Sequence, residues 1–340
     1  MRSDFMPLSS PPFKRRHFLG LTSAVAGASF LPHQVAAQTK DLSQITLRAA
    51  TFRGADQTLL KETGLDDFPY KVSFSEFNSG NIIAQAINAD ALDIGGWSEI
   101  PMVFAATSGA RISIIATLEG PTTDQVLLVP EHSTAKSIKD LKGKRIGYIK
   151  ATTAHYFLIK MLEQQGLSWR DITPIALGVS EGLTAMKSGS LDGWATYGYA
   201  IQMLEADKTA RILQSAANIL SGHYFIGANP LRLKDPAFRA IAADYLGRLN
   251  KAYSILSNDK PRWAHAISPV IQVPEPLVLN YLQNQNRSYH LRAWRKTDIT
   301  SAQDIANTFA KNGFLPEGTE LEPIFSPALS EALDHQRSVQ

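Results

Sequence analysis

The sequence predicts an α/β fold built as two similar lobes, and three observations carry that expectation. From Ile45 onward, short apolar runs alternate with segments whose apolar residues recur at i, i+3, i+4 and i+7, the pattern of strands joined by crossover helices. Residues 86-AINADALDIG-95 and 185-AMKSGSLDGW-194 share one design: a helix end, a short turn, then Leu-Asp opening a strand. The design recurs once, which suits paired lobes and not a solenoid; a chance likeness of two common helix–strand joints is the other reading. Finally, 340 residues at 44% hydrophobic and 19% charged suffice for two domains with ordinary cores.

The N-terminus reads as an export signal and not as part of the fold. Residues 14-KRRHFLGLTSAVAGASFL-31 give a basic pair, Arg15-Arg16, then a mildly apolar run, and 35-VAA-37 supplies small residues for a signal peptidase. The run falls short of the about 20 apolar residues that a permanent span needs. The pair followed by His17-Phe18-Leu19 is similar to a twin-arginine signal, with Lys14 where Ser or Thr is usual, so Sec export stays open. Cleavage is expected near Ala37. Arg2, Lys14, Arg15 and Arg16 against Asp4 make the leader +3, which is the whole formal charge of the chain. The remainder is close to neutral, and nothing in it points to nucleic acid. There is no cysteine, which removes disulfides, thiol nucleophiles and Cys-ligated metals.

Strands are expected at 45–51, 70–77, 92–97, 112–118, 125–129, 145–149, 172–177 and 191–196. From about 231 the chain reads as almost wholly helical, punctuated by Asp235-Pro236, Lys260-Pro261 and Glu275-Pro276. The run 136-KSIKDLKGKR-145 reads as a solvated turn leading into a strand. The eight histidines show no metal-ligand spacing, and no metal or cofactor is expected.

The most informative stretch is 147-GYIKATTAHYFLIKML-162. Ala154, Phe157, Leu158, Met161 and Leu162 form one apolar stripe, Thr152 or Thr153 is a suitable N-cap, and Gly166 is a suitable stop. The start of this helix presents unpaired N–H groups and a partial positive charge, with two hydroxyls and the His155 imidazole nearby, at the carboxyl end of a strand. That is a site for an oxyanion. The plainer reading is that the threonines only cap and His155 is a surface residue. Three further strand ends could join it: Arg53 and Gly54 in 52-FRGADQ-57, Trp97, Ser98 and Glu99 in 95-GGWSEIP-101, and Trp194 and Tyr197 in 193-GWATYGY-199. The tryptophans are as readily packing residues, and Arg53 and Glu99 as readily solvated charges.

These stretches resemble the periplasmic substrate-binding proteins of ABC importers, in the branch that handles aliphatic sulfonates, taurine, nitrate, bicarbonate and thiamine-precursor-like ligands. The resemblance is carried by 80-GNIIAQAINADALDIGGWSEIP-101, 137-SIKDLKGKRIGYIKATTAHYFL-158, 190-SLDGWATYGYA-200 and 222-GHYFIGANP-230, and runs from about Ile45 to the last forty residues. The sulfonate binders are most alike: their small–Ser–Ser–Ser–His helix start is matched by Ala151-Thr152-Thr153-Ala154-His155, and their Asp-Ile-Pro by Glu99-Ile100-Pro101. It implies a type II-like two-lobed fold, each lobe a mixed sheet flanked by helices, with lobe one at 41–122 plus 223–340 and lobe two at 123–222. It also implies an anion on Thr152, Thr153, Ala154 and His155, with other contacts on Arg53, Gly54, Trp97, Ser98, Glu99, Glu119, Trp194, Tyr197, His223 and Tyr224.

Two departures bear on the ligand. Many relatives carry Trp-Asp-Pro where this chain has Tyr197-Gly198-Tyr199, and the absent carboxylate argues against an amino group such as taurine's. Trp97 stands where a small residue is usual, implying a short ligand or a flat wall for an aromatic one. The resemblance implies the solute-binding component of an ABC importer. It would be a periplasmic monomer, not membrane-embedded and binding no nucleic acid, that delivers an organic sulfonate or similar anionic small molecule to a permease and its ATPase. Nitrate, bicarbonate, aromatic carboxylates or pyrimidines are alternative ligands, and a sensor an alternative role. An enzyme on the same scaffold is the weakest reading, since a desulfinase of this type uses a cysteine.

Overall fold

A computed structural model describes residues 41–338. The expected export signal at 1–37 lies outside the described residues. The first part of the chain runs β1 (Thr46–Phe52), α1 (Asp56–Thr63), β2 (Lys71–Phe77), α2 (Gly80–Asn88), β3 (Ile94–Ser98), α3 (Glu99–Thr107) and β4 (Ser113–Glu119). A second part follows as β5 (Gln125–Pro130), β6 (Arg145–Tyr148), α4 (Thr153–Gln164), β7 (Thr173–Ala176), α5 (Val179–Lys187), β8 (Gly193–Tyr197), α6 (Ala200–Ala206) and β9 (Ala210–Ser215). The chain closes with β10 (His223–Ala228), α7 (Pro236–Ser257), α8 (Lys260–Ile271), α9 (Glu275–Gln283), β11 (His290–Arg292), α10 (Lys296–Lys311) and α11 (Ser330–Ser338).

These elements make two mixed sheets, ordered β11-β4-β10-β3-β1-β2 and β7-β6-β8-β5-β9. All eight strands expected from apolar runs are present. Three were not expected: β9, β10 and β11, the last of which interrupts a tail that the sequence suggests is helical. Each joins its sheet antiparallel to a strand far away in sequence, so local pattern gives little sign of it. β10 lies between β3 and β4, and β11 pairs with β4.

The two sheets repeat one plan. In the first, β2, β1 and β3 are parallel neighbours and β10 runs against β3. In the second, β7, β6 and β8 are parallel and β5 runs against β8. The Leu-Asp echo is part of this plan. Asp93 accepts from the backbone N–H of Arg48 at 2.9 Å and from its guanidinium at 2.6 Å. Asp192 accepts from the backbone N–H of Arg145 at 2.8 Å and from its guanidinium at 3.2 Å. In both halves an aspartate at the head of the third strand pins the head of the first.

The chain passes between the sheets twice, after β4 and again before β10. The two passages are joined where the Gly120 N–H donates to the Gly222 carbonyl at 2.9 Å. Gly222 has φ +79, and a Cβ there would stand 2.6 Å from the Gly120 oxygen, so only glycine fits. The helical tail spreads over the first sheet. Phe238, Ile241, Leu246 and Leu249 of α7 are buried in the cluster that contains Leu47 of β1 and Leu118 of β4. Burying side chains of this size contributes about 1.5–3 kcal/mol each.

Candidate binding site

A cavity of about 780 Å³ opens at the carboxyl ends of the parallel strands of both sheets, where open α/β sheets take ligands. Four helix starts line it. Asn78, Ser79 and Gly80 lead into α2; Trp97, Ser98 and Pro101 lead into α3; Lys150, Thr152 and Thr153 lead into α4; Gly178 to Glu181 lead into α5. Tyr197 from β8 and Asp124 and Gln125 at the head of β5 form one wall, and Tyr224, Tyr281 and Tyr289 add aromatic surface from later in the chain.

The four helix starts are not alike. α2 and α4 have no acidic residue in the first turn, and neither N-cap side chain, Ser79 or Thr152, caps its helix. Their first N–H groups and their partial positive charge are therefore available to an anion. α3 and α5 begin with Glu99 and Glu181, whose charges offset the dipole there. Glu181 folds back on its own helix start: a Cβ at Gly178 would lie 2.4 Å from its carboxylate.

The start of α4 is held in a strained turn. Ala151 has φ +57, unusual for a residue with a Cβ. Of the two threonines expected to cap, Thr152 holds the N-cap position, but its hydroxyl donates to the Ile149 carbonyl at 2.7 Å, inside this turn, and does not cap the helix. It also lies beside the Tyr197 hydroxyl, whose pKa burial pushes up and Thr152 pulls back down.

Six of the fourteen expected site residues line the cavity: Trp97, Ser98, Thr152, Thr153, Tyr197 and Tyr224. The others lie elsewhere. Ala154 and His155 are buried behind the α4 start. The His155 ring is enclosed by Tyr148, Trp169, Phe309 and Phe314, with ring centroids 4.5–5.0 Å away. Its Nδ1 accepts from the Ala151 N–H at 3.4 Å, which fastens the strained turn. Burial, with a smaller effect from Lys150, pulls its pKa down to about 3, which keeps the ring neutral and Nδ1 able to accept. Trp194 is fully buried against Gly182 and Gly147. Trp97 is nearly so; its ring fills the slot left by Gly227, where a Cβ would lie 2.2 Å away.

Glu99, Glu119 and His223 belong to a charged network inside the first sheet's half. Glu99 accepts from Ser221 at 2.5 Å and Ser301 at 3.0 Å. His223 lies 3.7 Å from Glu99 and 3.6 Å from Asp298. Arg292 bonds Glu119 at 2.5 Å and Asp298 at 2.7 Å. The network ties β4, β10 and β11 to α3 and α10. Arg53 pairs with Glu76 at 3.0 Å. Together with Gly54 it lines a separate cavity of about 190 Å³, which shares Tyr281 and Tyr289 with the larger one.

Sequence reasoning missed two kinds of lining residue. Asn78, Ser79, Gly80 and 178–181 sit at strand-to-helix joints and carried the same signal as Thr152. Asp124, Gln125, Tyr281 and Tyr289 had no such signal. β5 is antiparallel, so its head lies where the other strands end.

Comparison with known proteins bears on the fold and on the kind of protein this chain is similar to. The family model described as NMT1/THI5 like matches residues 60–223, a span that holds all four helix starts. Over those residues the chain is similar to that family. It is similar to the crystal structure of the alkanesulfonate-binding protein SsuA from Xanthomonas axonopodis pv. citri bound to MOPS, with a TM-score of 0.75, 28% identity, and 83% of this chain and 98% of that one covered. A provisionally named aliphatic sulfonates-binding protein of Escherichia coli strain K12 is 24% identical over 77% of this chain and 81% of its own length. The taurine-binding periplasmic protein of the same strain is 26% identical over 54% of this chain and 55% of its own. These relatives are binding proteins by name, and the mixed α/β architecture of two sheets flanked by helices matches that of the SsuA structure.

Proposed function

We propose that this chain is the extracytoplasmic solute-binding component of an ABC importer, and that it takes an organic sulfonate or similar oxyanion into the large cavity. One observation supports this above the rest. The starts of α2 and α4, from opposite sheets, reach the same cavity with N–H groups that no carboxylate of their own covers. An oxyanion between them would receive hydrogen bonds from both halves, and each half alone would offer an incomplete site.

The same reading assigns residues 41–122 with 223–340 to one lobe and 123–222 to the other. The paired passages at Gly120 and Gly222 would be the hinge, and ligand would favour the closed state by bridging the lobes. The protein binds and releases, with no chemical step, and hands its ligand to a membrane permease driven by an ATPase. Export by the leader at 1–37 would place it in the periplasm. Among the described residues no helix is long and apolar enough to cross a membrane.

The test is a thermal-shift panel of alkane- and arylsulfonates, taurine, sulfate, nitrate, bicarbonate, carboxylates and pyrimidines. A ligand at about a hundred times its dissociation constant adds about 2.7 kcal/mol of stability, a shift of a few degrees for a chain of this size. Shifts confined to sulfonates support the reading. Shifts confined to carboxylates or pyrimidines would overturn the substrate class.

A further inference from the structure

One wall of the large cavity holds a buried carboxylate that no cation balances. Asp124, at the head of β5, is 9% exposed. Its Oδ2 accepts from the Tyr281 hydroxyl at 2.6 Å, while its Oδ1 is buried without a partner. Among the described residues no Lys, Arg or His forms an ion pair with it. Oε1 of the adjoining Gln125 is a second buried acceptor without a donor. A buried charge with neither counter-ion nor full hydrogen bonding is costly, and taking up a proton relieves it.

The groups that face Asp124 are hydroxyls. Tyr281 from α9, Tyr199 ahead of α6, Tyr224 from β10 and Tyr289 ahead of β11 all feel its charge. Tyr197 of β8, across from Gln125, completes the wall. The charged groups of the neighbourhood are engaged elsewhere or stand on other walls. Arg287 donates to the Ser221 carbonyl at 3.1 Å, Lys150 lines the cavity at the start of α4, and Glu181 is folded onto the start of α5. Burial, partly opposed by the Tyr281 hydrogen bond, pushes the Asp124 carboxyl up to about 6. Asp124 also stands where the two halves meet. On the lobe assignment above it opens lobe two, while Tyr281 and Asn284 belong to lobe one. The bond from Tyr281 then crosses between lobes, as does the bond from the Thr123 hydroxyl to the Asn284 carbonyl at 2.8 Å. The Tyr199 ring, from lobe two, lies 4.3 Å from the Tyr281 ring. Parting the lobes would remove these covers and let water reach the carboxylate.

We propose that binding is coupled to a proton: closing the lobes over the oxyanion buries Asp124 and favours its protonated form, while the ionised form opposes closing and promotes release. This rests on the two-lobed oxyanion reading above and adds a proton to it. The proton comes from solvent on closing and returns to solvent on opening. A hydrated aspartate in the open state has a pKa of about 3.9, so the carboxyl holds its proton more tightly when closed. Closing is therefore favoured as pH falls through about 6 toward 4, and the gain is lost as pH rises above that range.

The experiment is calorimetric titration of the purified protein with straight-chain alkanesulfonates of two to six carbons, whose own charge is constant over the range used. Titrations are run at pH 7.5 and pH 5, and at pH 5.5 in buffers of different ionisation heat, which count the protons exchanged. Affinity should be about tenfold higher at pH 5 than at pH 7.5, with about 0.7 proton taken up per ligand at pH 5.5. Asp124→Asn keeps the shape and an acceptor for Tyr281 but is uncharged at every pH. It should bind without proton uptake, and at pH 7.5 at least as tightly as the wild type does at pH 5. Tyr281→Phe removes the hydrogen bond that favours the ionised form, so proton uptake should move toward neutral pH. Equal wild-type affinity at both pH values with no proton uptake would overturn the coupling and leave the oxyanion reading standing. Uptake that persists in Asp124→Asn would overturn the assignment to Asp124. Binding of no sulfonate at either pH would overturn both readings.

Discussion

The two halves of the molecule repeat one strand plan, yet they place their uncovered helix start at different points of it. α2 and α5 each follow the second strand of their unit, and α1 and α4 each follow the first. In the first half the uncovered start is that of α2, while α1 begins with Asp56, whose carboxylate accepts from Tyr253 at 3.1 Å. In the second half α4 starts uncovered and α5 carries Glu181; the short α6 also begins without an acidic residue or a side-chain cap, but its N-cap residue Tyr199 lines the smaller cavity. A repeat that left equivalent helices uncovered would present two like sites. The stagger of α2 against α4 brings an open start from each half to the same cavity, so the proposed site would draw on both halves.

The comparison can be broken by covering an open start. Thr152→Asp would give α4 the carboxylate that α5 already has. The cap it adds is offset by loss of the hydroxyl's bond to the Ile149 carbonyl, so fold stability should change by less than about 1 kcal/mol. Sulfonate affinity should fall by about a hundredfold or more, because the new charge takes the N–H groups and repels the ligand. Calorimetry with parallel thermal unfolding separates the two effects. Ser79→Asp should do the same from the other half. Unchanged affinity in either variant would remove that helix from the site.

The turn that presents α4 provides a second, smaller effect. The folded pKa of His155, about 3, lies below its unfolded value of about 6.5. Its contribution is therefore fully present above about pH 6.5. It is lost as pH falls from there toward 3, by up to about 1.4 kcal/mol per unit. His155→Leu has no such titration. The stability difference, wild type minus variant, should shrink as pH falls from about 7 to 5 in denaturant unfolding. A constant difference would mean that His155 is not held neutral.

The smallest effect comes from uncovering a covered start. Glu181→Gln removes the charge folded onto α5 and should tighten sulfonate binding by about two- to fivefold, the size of one screened helix-end charge. Weaker binding in that variant would place α5 inside the site and contradict the contrast between open and covered starts.

Much of this was legible in the sequence, and the rest was not for identifiable reasons. The eight apolar runs became strands, and the Leu-Asp echo became two pinned strand heads at Asp93 and Asp192. The start at Thr152 was readable because strand ends and helix starts are local. His155 is expected at the site from its nearness to the helix start and from the family's helix-start pattern, and the helix turns its ring inward onto Phe309 and Phe314, more than 150 residues away. β10 and the Asp124 wall depend on antiparallel pairing between distant segments, and nothing in a local window reports which end of a strand meets the cavity.

The most direct test of the account is to locate the sulfur of a bound alkanesulfonate by anomalous diffraction from a crystal of the complex. Hydrogen bonds of ordinary length from both uncovered helix starts put the sulfur about 4 Å from the backbone nitrogens of Gly80 and Thr153. A sulfur seated instead at Ser98 or Ser180, or in the smaller cavity beside Arg53, would contradict it.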